Sequence, residues 1–275
     1  MQPIKIVADS SADLTALEGV DFAFAPLKIV TAEREFIDNE ALNVQEMTDF
    51  LYRYKGRSST ACPNVDDWLA AFGDAERIIC ITITGGLSGS FNAARTAKQL
   101  YEDRYPARRV HVIDSLSAGP EITLHIEKMR EMILAGHSFD EIVTVLSSYK
   151  TELLFLLESL HNFANNGRVS KAAAAAAGVL GIRALGRASD EGTLELLVKP
   201  RGEAKSLAAI VQNMKKYACC GGKVLIAHCY AEEAANRLAE MIRAAFSSVT
   251  VRVHACRGLC SFYAEPGGLL IGYEV

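Results

Sequence analysis

Hydroxyl groups, glycines and backbone amides are the reactive or recognising groups this sequence offers most densely. In Ile81-Thr82-Ile83-Thr84-Gly85-Gly86-Leu87-Ser88-Gly89-Ser90 a β-branched run ends in two glycines and a serine, and a helical pattern from Ser88 to Tyr101 follows. The first amides of a helix have no partner within the helix, so its start is a place where N–H donors and the macrodipole favour an anion. The segment lacks both the lysine of a Walker A loop and the spacing of the dinucleotide fingerprint, which weakens a nucleotide reading. A plain strand-to-helix turn with Ser88 as helix cap accounts for the same residues and stands beside the anion reading.

Gly86-Leu87-Ser88-Gly89-Ser90 also comes close to a nucleophile elbow. A serine hydrolase using Ser88 is therefore the enzyme alternative, but it requires a base. His111 falls at the start of the next strand, and only the tertiary fold could bring His228 near; without a positioned histidine a serine hydroxyl is a weak nucleophile. A second hydroxyl-rich stretch, Ser58-Ser59-Thr60-Ala61-Cys62-Pro63-Asn64, precedes a helix that Pro63 and Asn64 are suited to start. Asp9-Ser10-Ser11 and Asp114-Ser115-Leu116-Ser117 each close a strand. Ligands of open α/β sheets bind beyond such carboxyl ends, so all four loops are expected at one crevice, where many donors and few bases suit binding better than bond breaking. Arg168, after Asn165-Asn166-Gly167, is placed to meet a carboxylate or phosphate, and Tyr263, close to the Pro266-Gly267-Gly268 turn, has a hydroxyl to offer a pocket.

These loops need a frame, and the order of hydrophobic segments supplies it. Continuous apolar runs at Ile4 to Val7, Arg77 to Thr84 and Val110 to Ile113 alternate with helical patterns at Val44 to Tyr54, Val65 to Phe72, Ser88 to Tyr101, Glu121 to Leu134 and Ser138 to Tyr149. That is the pattern of a parallel sheet covered on both faces, a Rossmann-like α/β domain over residues 1–155. Beyond it, runs at Leu153 to Leu157, Leu194 to Val198, Lys223 to Ala227, Val249 to Val253 and Leu269 to Tyr273 mix with helices at Glu203 to Tyr217 and Glu232 to Ala245, and with an alanine-rich helix from Lys171. The second domain, residues 156–275, is expected to be α+β with a mixed sheet and to leave a cleft against the first.

Composition narrows the partners. The chain has 275 residues, half of them hydrophobic, with 29 Lys+Arg against 33 Asp+Glu and a formal net charge of -4. That balance gives no reason to expect nucleic-acid binding. No stretch approaches the roughly 20 apolar residues that span a bilayer, and the amino terminus has no signal-peptide core, so no integral membrane association is expected. Seven scattered cysteines, an odd number, fit reduced cytoplasmic thiols, and neither they nor the histidines show metal-ligand spacing. No metal or cofactor is expected.

Several segments together resemble the DegV family, the bacterial fatty-acid-binding proteins known as FakB. They are Val7 to Leu14, Thr60-Ala61-Cys62-Pro63-Asn64, Gly86 to Ala94, Val112-Ile113-Asp114-Ser115, Asn166-Gly167-Arg168-Val169-Ser170-Lys171, Lys199-Pro200-Arg201-Gly202 and Pro266-Gly267-Gly268, in the family's order across the whole chain. The resemblance implies a non-catalytic lipid carrier with one long-chain fatty acid in a tunnel between its domains. It further implies that a separate FakA-like fatty acid kinase subunit receives the acid and makes an acyl phosphate. By the same resemblance Thr60 and Ser88 with Gly89 bind the carboxyl group, Arg168 lies by the head group or the partner-facing rim, and Arg201 belongs to that rim with Lys171 and Lys199. The chain departs from the family at Ala61 and Cys62, in the T-S-Q-P-S loop, and at Tyr263, where the family has the histidine of an H-T-G-P-G turn. A phenol donates one hydrogen bond but does not become cationic. For the acyl tail, Phe91 and the run Phe155 to Leu157 are candidates, with core packing as the alternative for each. A transcription-associated or purely protein-binding module that uses the fold without lipid is the remaining reading.

Overall fold

A computed structural model describes residues 3–170, 182–219 and 221–275. Four strands, β1 (Ile4–Asp9), β2 (Asp21–Ala25), β6 (Arg77–Thr82) and β7 (Arg109–Asp114), form an all-parallel sheet in the order β2-β1-β6-β7. Its apolar runs are continuous because both faces are covered. Val7, Ile78 and Cys80 pack under α2 (Val65–Phe72) and α3 (Ser90–Arg104) through Trp68, Phe72, Ala94 and Tyr101. Ile6, Ile79 and Ile81 face α4 (Pro120–Leu134) and α5 (Phe139–Leu146) through Ile122, Ile126, Met129, Phe139 and Ile142. Each such side chain contributes about 1.5–3 kcal/mol when withdrawn from water.

Between these elements β3 (Lys28–Val30), β4 (Glu35–Ile37) and β5 (Ser59–Ala61) make a small antiparallel sheet, and α1 (Val44–Arg53) packs beside it. Strands of three residues carry no readable alternation, so β5 looks like a loop in the sequence although Thr60 lies in a strand. α3 begins at Ser90, two residues later than its helical pattern, because Gly89 is the N-cap and the Ser88 hydroxyl accepts from Ser90 N at 3.3 Å. Asn64 caps α2 with a reciprocal Asp67 contact, as the sequence suggests.

The second sheet has the order β10-β9-β8-β13-β11-β12, built from β8 (Thr151–Leu157), β9 (Ala184–Ala188), β10 (Leu194–Val198), β11 (Gly222–His228), β12 (Val249–Ala255) and β13 (Leu269–Glu274). Only β11 and β12 run parallel, joined by α8 (Glu232–Ala245); the other pairs are antiparallel. α7 (Glu203–Lys216) and α8 cover one face against Leu154, Leu156, Ile226 and Ile271. Two short helices, α6 (His161–Asn165) and α9 (Gly258–Ala264), and a 3-10 turn at Ser10–Ala12 complete the described elements. The chain enters this sheet at Thr151, so the division expected at 155 falls inside β8. The alanine-rich helix expected from Lys171 lies outside the described residues, and among those described no helix is long and apolar enough to cross a membrane.

One helix joins the two halves. α4 is buried on nearly every side, with Ile122, Ile126 and Met129 turned to the parallel sheet and its amino end pressed on β13 and β8. Polar groups at that contact form a chain. Ser117 Oγ and Thr151 Oγ1 both donate to the Glu121 carboxylate, the latter at 2.7 Å. Thr151 having spent its proton, the His125 contact at 3.1 Å must be Nε2–H donating to Thr151 Oγ1. Burial pushes His125 down to about 4 and Glu121 upward, so His125 is neutral at physiological pH. Gly272 in β13 is what lets α4 approach: a Cβ there would stand 2.7 Å from Glu121 N and Pro120 C. Gly272→Ala is accordingly expected to cost about 1–3 kcal/mol in urea denaturation through overpacking of backbone on backbone, and an unchanged midpoint would contradict this seating of α4.

Candidate functional site

The carboxyl ends of the parallel strands are tied together by one acid. Asp9 has no exposure and accepts from Ile83 N at 2.9 Å, Ser90 Oγ at 2.6 Å, Ser11 N at 3.2 Å and Ser11 Oγ. Burial raises its pKa against those four hydrogen bonds, which oppose the shift. Asp114 similarly receives Gly85 N at 3.0 and 3.2 Å on its two oxygens. Both aspartates therefore stand behind the crevice and shape the glycine-rich loop, while Thr84, Ser88 and Gly89 of that loop reach the crevice itself. Gly85 and Gly86 are required by close approach: a Cβ would come within 2.8 Å of Asp114 Oδ2 at the first and 3.0 Å of the Gly192 carbonyl at the second.

In front of this loop lies a cavity of about 320 Å³ between the two halves, of the size that small-molecule sites have. Leu27, Ile83, Leu153, Phe155, Leu157 and Leu270 make most of its wall apolar. At one end the polar groups gather. Thr60 Oγ1 and Tyr263 Oη are 2.8 Å apart across 203 residues of sequence, and Tyr263 stacks on Phe163 with centroids 4.5 Å apart. Burial raises the Tyr263 phenol, so it stays neutral. Arg168 closes the same end, donating from Nε to Leu87 O at 3.1 Å and from Nη1 to Asn166 O at 2.7 Å, and it is the one charged side chain among the described lining residues.

All five expected head-group residues, Thr60, Ser88, Gly89, Arg168 and Tyr263, thus line one cavity. Arg201 does not: it is exposed, in an isolated bridge with Ile182, and Lys171 lies outside the described residues. Phe91 is also away from the cavity, packed over Gly85 beneath Arg95. Strand alternation splits the Phe155 to Leu157 run, placing Phe155 and Leu157 on the cavity and Leu156 in the core of the second half.

Sequence reasoning missed the far rim. The turn between β9 and β10 lies over the cavity, where Gly192 O accepts from Thr84 Oγ1 at 2.8 Å and Thr193 and Leu194 join the lining. It also missed α9, which brings Leu259, Cys260, Tyr263 and Ala264 to the wall. Among the described residues no histidine lines the cavity, so none stands beside Ser88 as a base. Among the described residues no group of three or more His, Cys, Asp or Glu could hold a metal ion.

Known proteins share this architecture closely. The family profile described as "Uncharacterised protein, DegV family" matches residues 3–274. A DegV domain-containing protein of Streptococcus pneumoniae is 43% identical over 277 residues, covering 98% of this chain and 99% of the relative. A DegV family protein from Eubacterium eligens, loaded with heptadecanoic acid, superposes with a TM-score of 0.97 at 43% identity over 99% of both chains. The Streptococcus pneumoniae Fatty Acid Kinase (Fak) B3 protein, loaded with linoleic acid, does so with a TM-score of 0.97 at 42% identity over 100% of both. Fold, cavity and sequence together place the chain in the DegV family.

Proposed function

We propose that this chain binds one long-chain fatty acid in the cavity between its halves, with the carboxyl group at Thr60, Ser88, Gly89 and Tyr263. The observation that carries the reading is the make-up of the wall: the Thr60 and Tyr263 hydroxyls, Arg168 and the start of α3 gather at one end, and apart from the hydroxyls of Thr84, Ser117 and Thr193 the remaining described lining is mainly apolar. Each buried methylene contributes about 0.8 kcal/mol, so the tail supplies most of the affinity and the polar end sets its direction. Tyr263, neutral and able to donate one hydrogen bond, stands where the resemblance implies a histidine, and Arg168 is the positively charged side chain among the described lining residues.

The fatty acid kinase relative supports a further step, that the head group is presented to a separate ATP-dependent kinase subunit in the cytoplasm while this chain breaks no bond itself. Exposed Arg201 and the Arg168 rim are suited to dock such a partner. The missing base weighs against the hydrolase alternative, which makes its own prediction: a fluorophosphonate probe would label Ser88.

Native mass spectrometry of the chain purified from bacteria should show the mass of a C16–C18 acid, and a protein that is empty and ignores added acid would end the proposal. Ser88→Ala combined with Thr60→Val is expected to weaken binding by about 1–3 kcal/mol, measured by displacement of a fluorescent fatty acid, with the unfolding transition retained. Unaltered affinity would move the carboxylate elsewhere. Intact-mass analysis after fluorophosphonate treatment should show no adduct.

A further inference from the structure

α9 brings Tyr263 to the head-group end, yet it is seven residues long and its N-cap, Arg257, makes no side-chain capping hydrogen bond. Its first amides are satisfied by two acids from the other end of the chain. Arg257 N donates to Asp13 Oδ1 at 3.0 Å, Gly258 N to Asp38 Oδ1 at 3.1 Å, and Leu259 N to Asp38 Oδ2 at 2.9 Å. The fit is close, since a Cβ at Gly258 would stand 2.6 Å from Asp38 Cγ.

The two carboxyl groups have little to balance their charge. The Arg257 guanidinium reaches Asp38 Oδ1 at 4.0 Å while its Nη2 donates to Asn39 O. The other groups around the pair are the Ser10 hydroxyl from the turn after β1 and the thiols of Cys260 on α9, Cys256 after β12 and Cys229 after β11. Among the described residues Asp13 Oδ2 is buried without a nitrogen or oxygen hydrogen-bond partner, the Cys260 thiol being its polar neighbour. Burial and the neighbouring Asp38 lift Asp13 from 3.8 to about 8, and burial raises Asp38 as well. The sign follows from linkage: a carboxyl raised in the folded state contributes stability that is present below its unfolded value and is lost as pH rises through about 8.

We propose that Asp13 and Asp38 are positioning residues for the head-group site, seating α9 and with it Tyr263 only while one of the two is protonated. Loss of that proton sets two like charges against each other under the helix, and the cavity wall made by Leu259, Cys260, Tyr263 and Ala264 loosens. The consequence for ligand affinity rests on the fatty-acid reading above; the seating of α9 does not.

Two readouts on the full chain separate these. One is the affinity for cis-parinaric acid, a fluorescent long-chain acid, and the other is hydrogen exchange of the Arg257–Ala264 amides corrected for intrinsic rates, both followed from about pH 7 to about pH 9.5. In the unaltered protein affinity and protection are each expected to fall about tenfold across that range. Asp13→Asn retains the Oδ1 acceptor, suits the left-handed φ of 56° at this position, and is expected to hold both flat. The proposal is overturned if unaltered protein and Asp13→Asn share one pH profile. It is equally overturned if protection in the unaltered protein does not change, an outcome that needs no variant to fold. Falling protection in a protein that never binds the probe would refute the fatty-acid reading and sustain the positioning role.

Discussion

Asp9 accepts four hydrogen bonds in a place without solvent, and those bonds fix the ends of β1, β6 and α3 relative to one another. An apolar cavity bounded by loops is costly unless the polar groups of those loops are satisfied on the side away from it, because an unpaired buried donor costs about 1–3 kcal/mol. Acidic side chains, all buried except the half-buried Asp114, do that work at several points of the wall. Asp9 and Asp114 shape the glycine-rich loop, Glu121 gathers Ser117 and Thr151 beside α4, and Asp13 with Asp38 holds α9. The cavity stays apolar because its polar support lies one layer back.

That arrangement explains what kind of recognition the site can perform. With an arginine and a neutral phenol at one end, the described lining has the donors to orient an acid, and no histidine stands among it. A hydrogen bond to a charged group is worth about 1.5–3 kcal/mol, against roughly 0.8 kcal/mol for every methylene withdrawn from water. In the proposed reading the length and shape of the tail therefore dominate affinity, and Tyr263 bears on how a carboxylate is oriented more than on how tightly the molecule is retained.

Features governed by short stretches of chain were readable from the residues. The glycine-rich strand end, the Asn64 cap and the doubly covered parallel sheet all follow from local chemistry and continuous apolar runs. The family resemblance supplied Thr60, Arg168 and Tyr263 as partners in one site, which no spacing could have given, since Thr60 and Tyr263 meet across 203 residues. What stayed hidden depended on tertiary neighbours. Leu156 and Phe155 are equally apolar, and only the sheet's two faces decide which one meets the cavity. Asp13 and Asp38 look like ordinary polar loop residues until α9 descends on them from the far end of the chain.

The central claim is that the apolar space between the halves holds an acyl chain with its carboxyl group at the hydroxyl end. A crystal structure of the protein with a C18 fatty acid tests it most directly. Continuous density along Leu153, Phe155 and Leu270, with the carboxylate at about 3 Å from Thr60 Oγ1 and Ser88 Oγ, is the predicted result. A chain running the other way, or a cavity that stays empty with saturating acid, would contradict it.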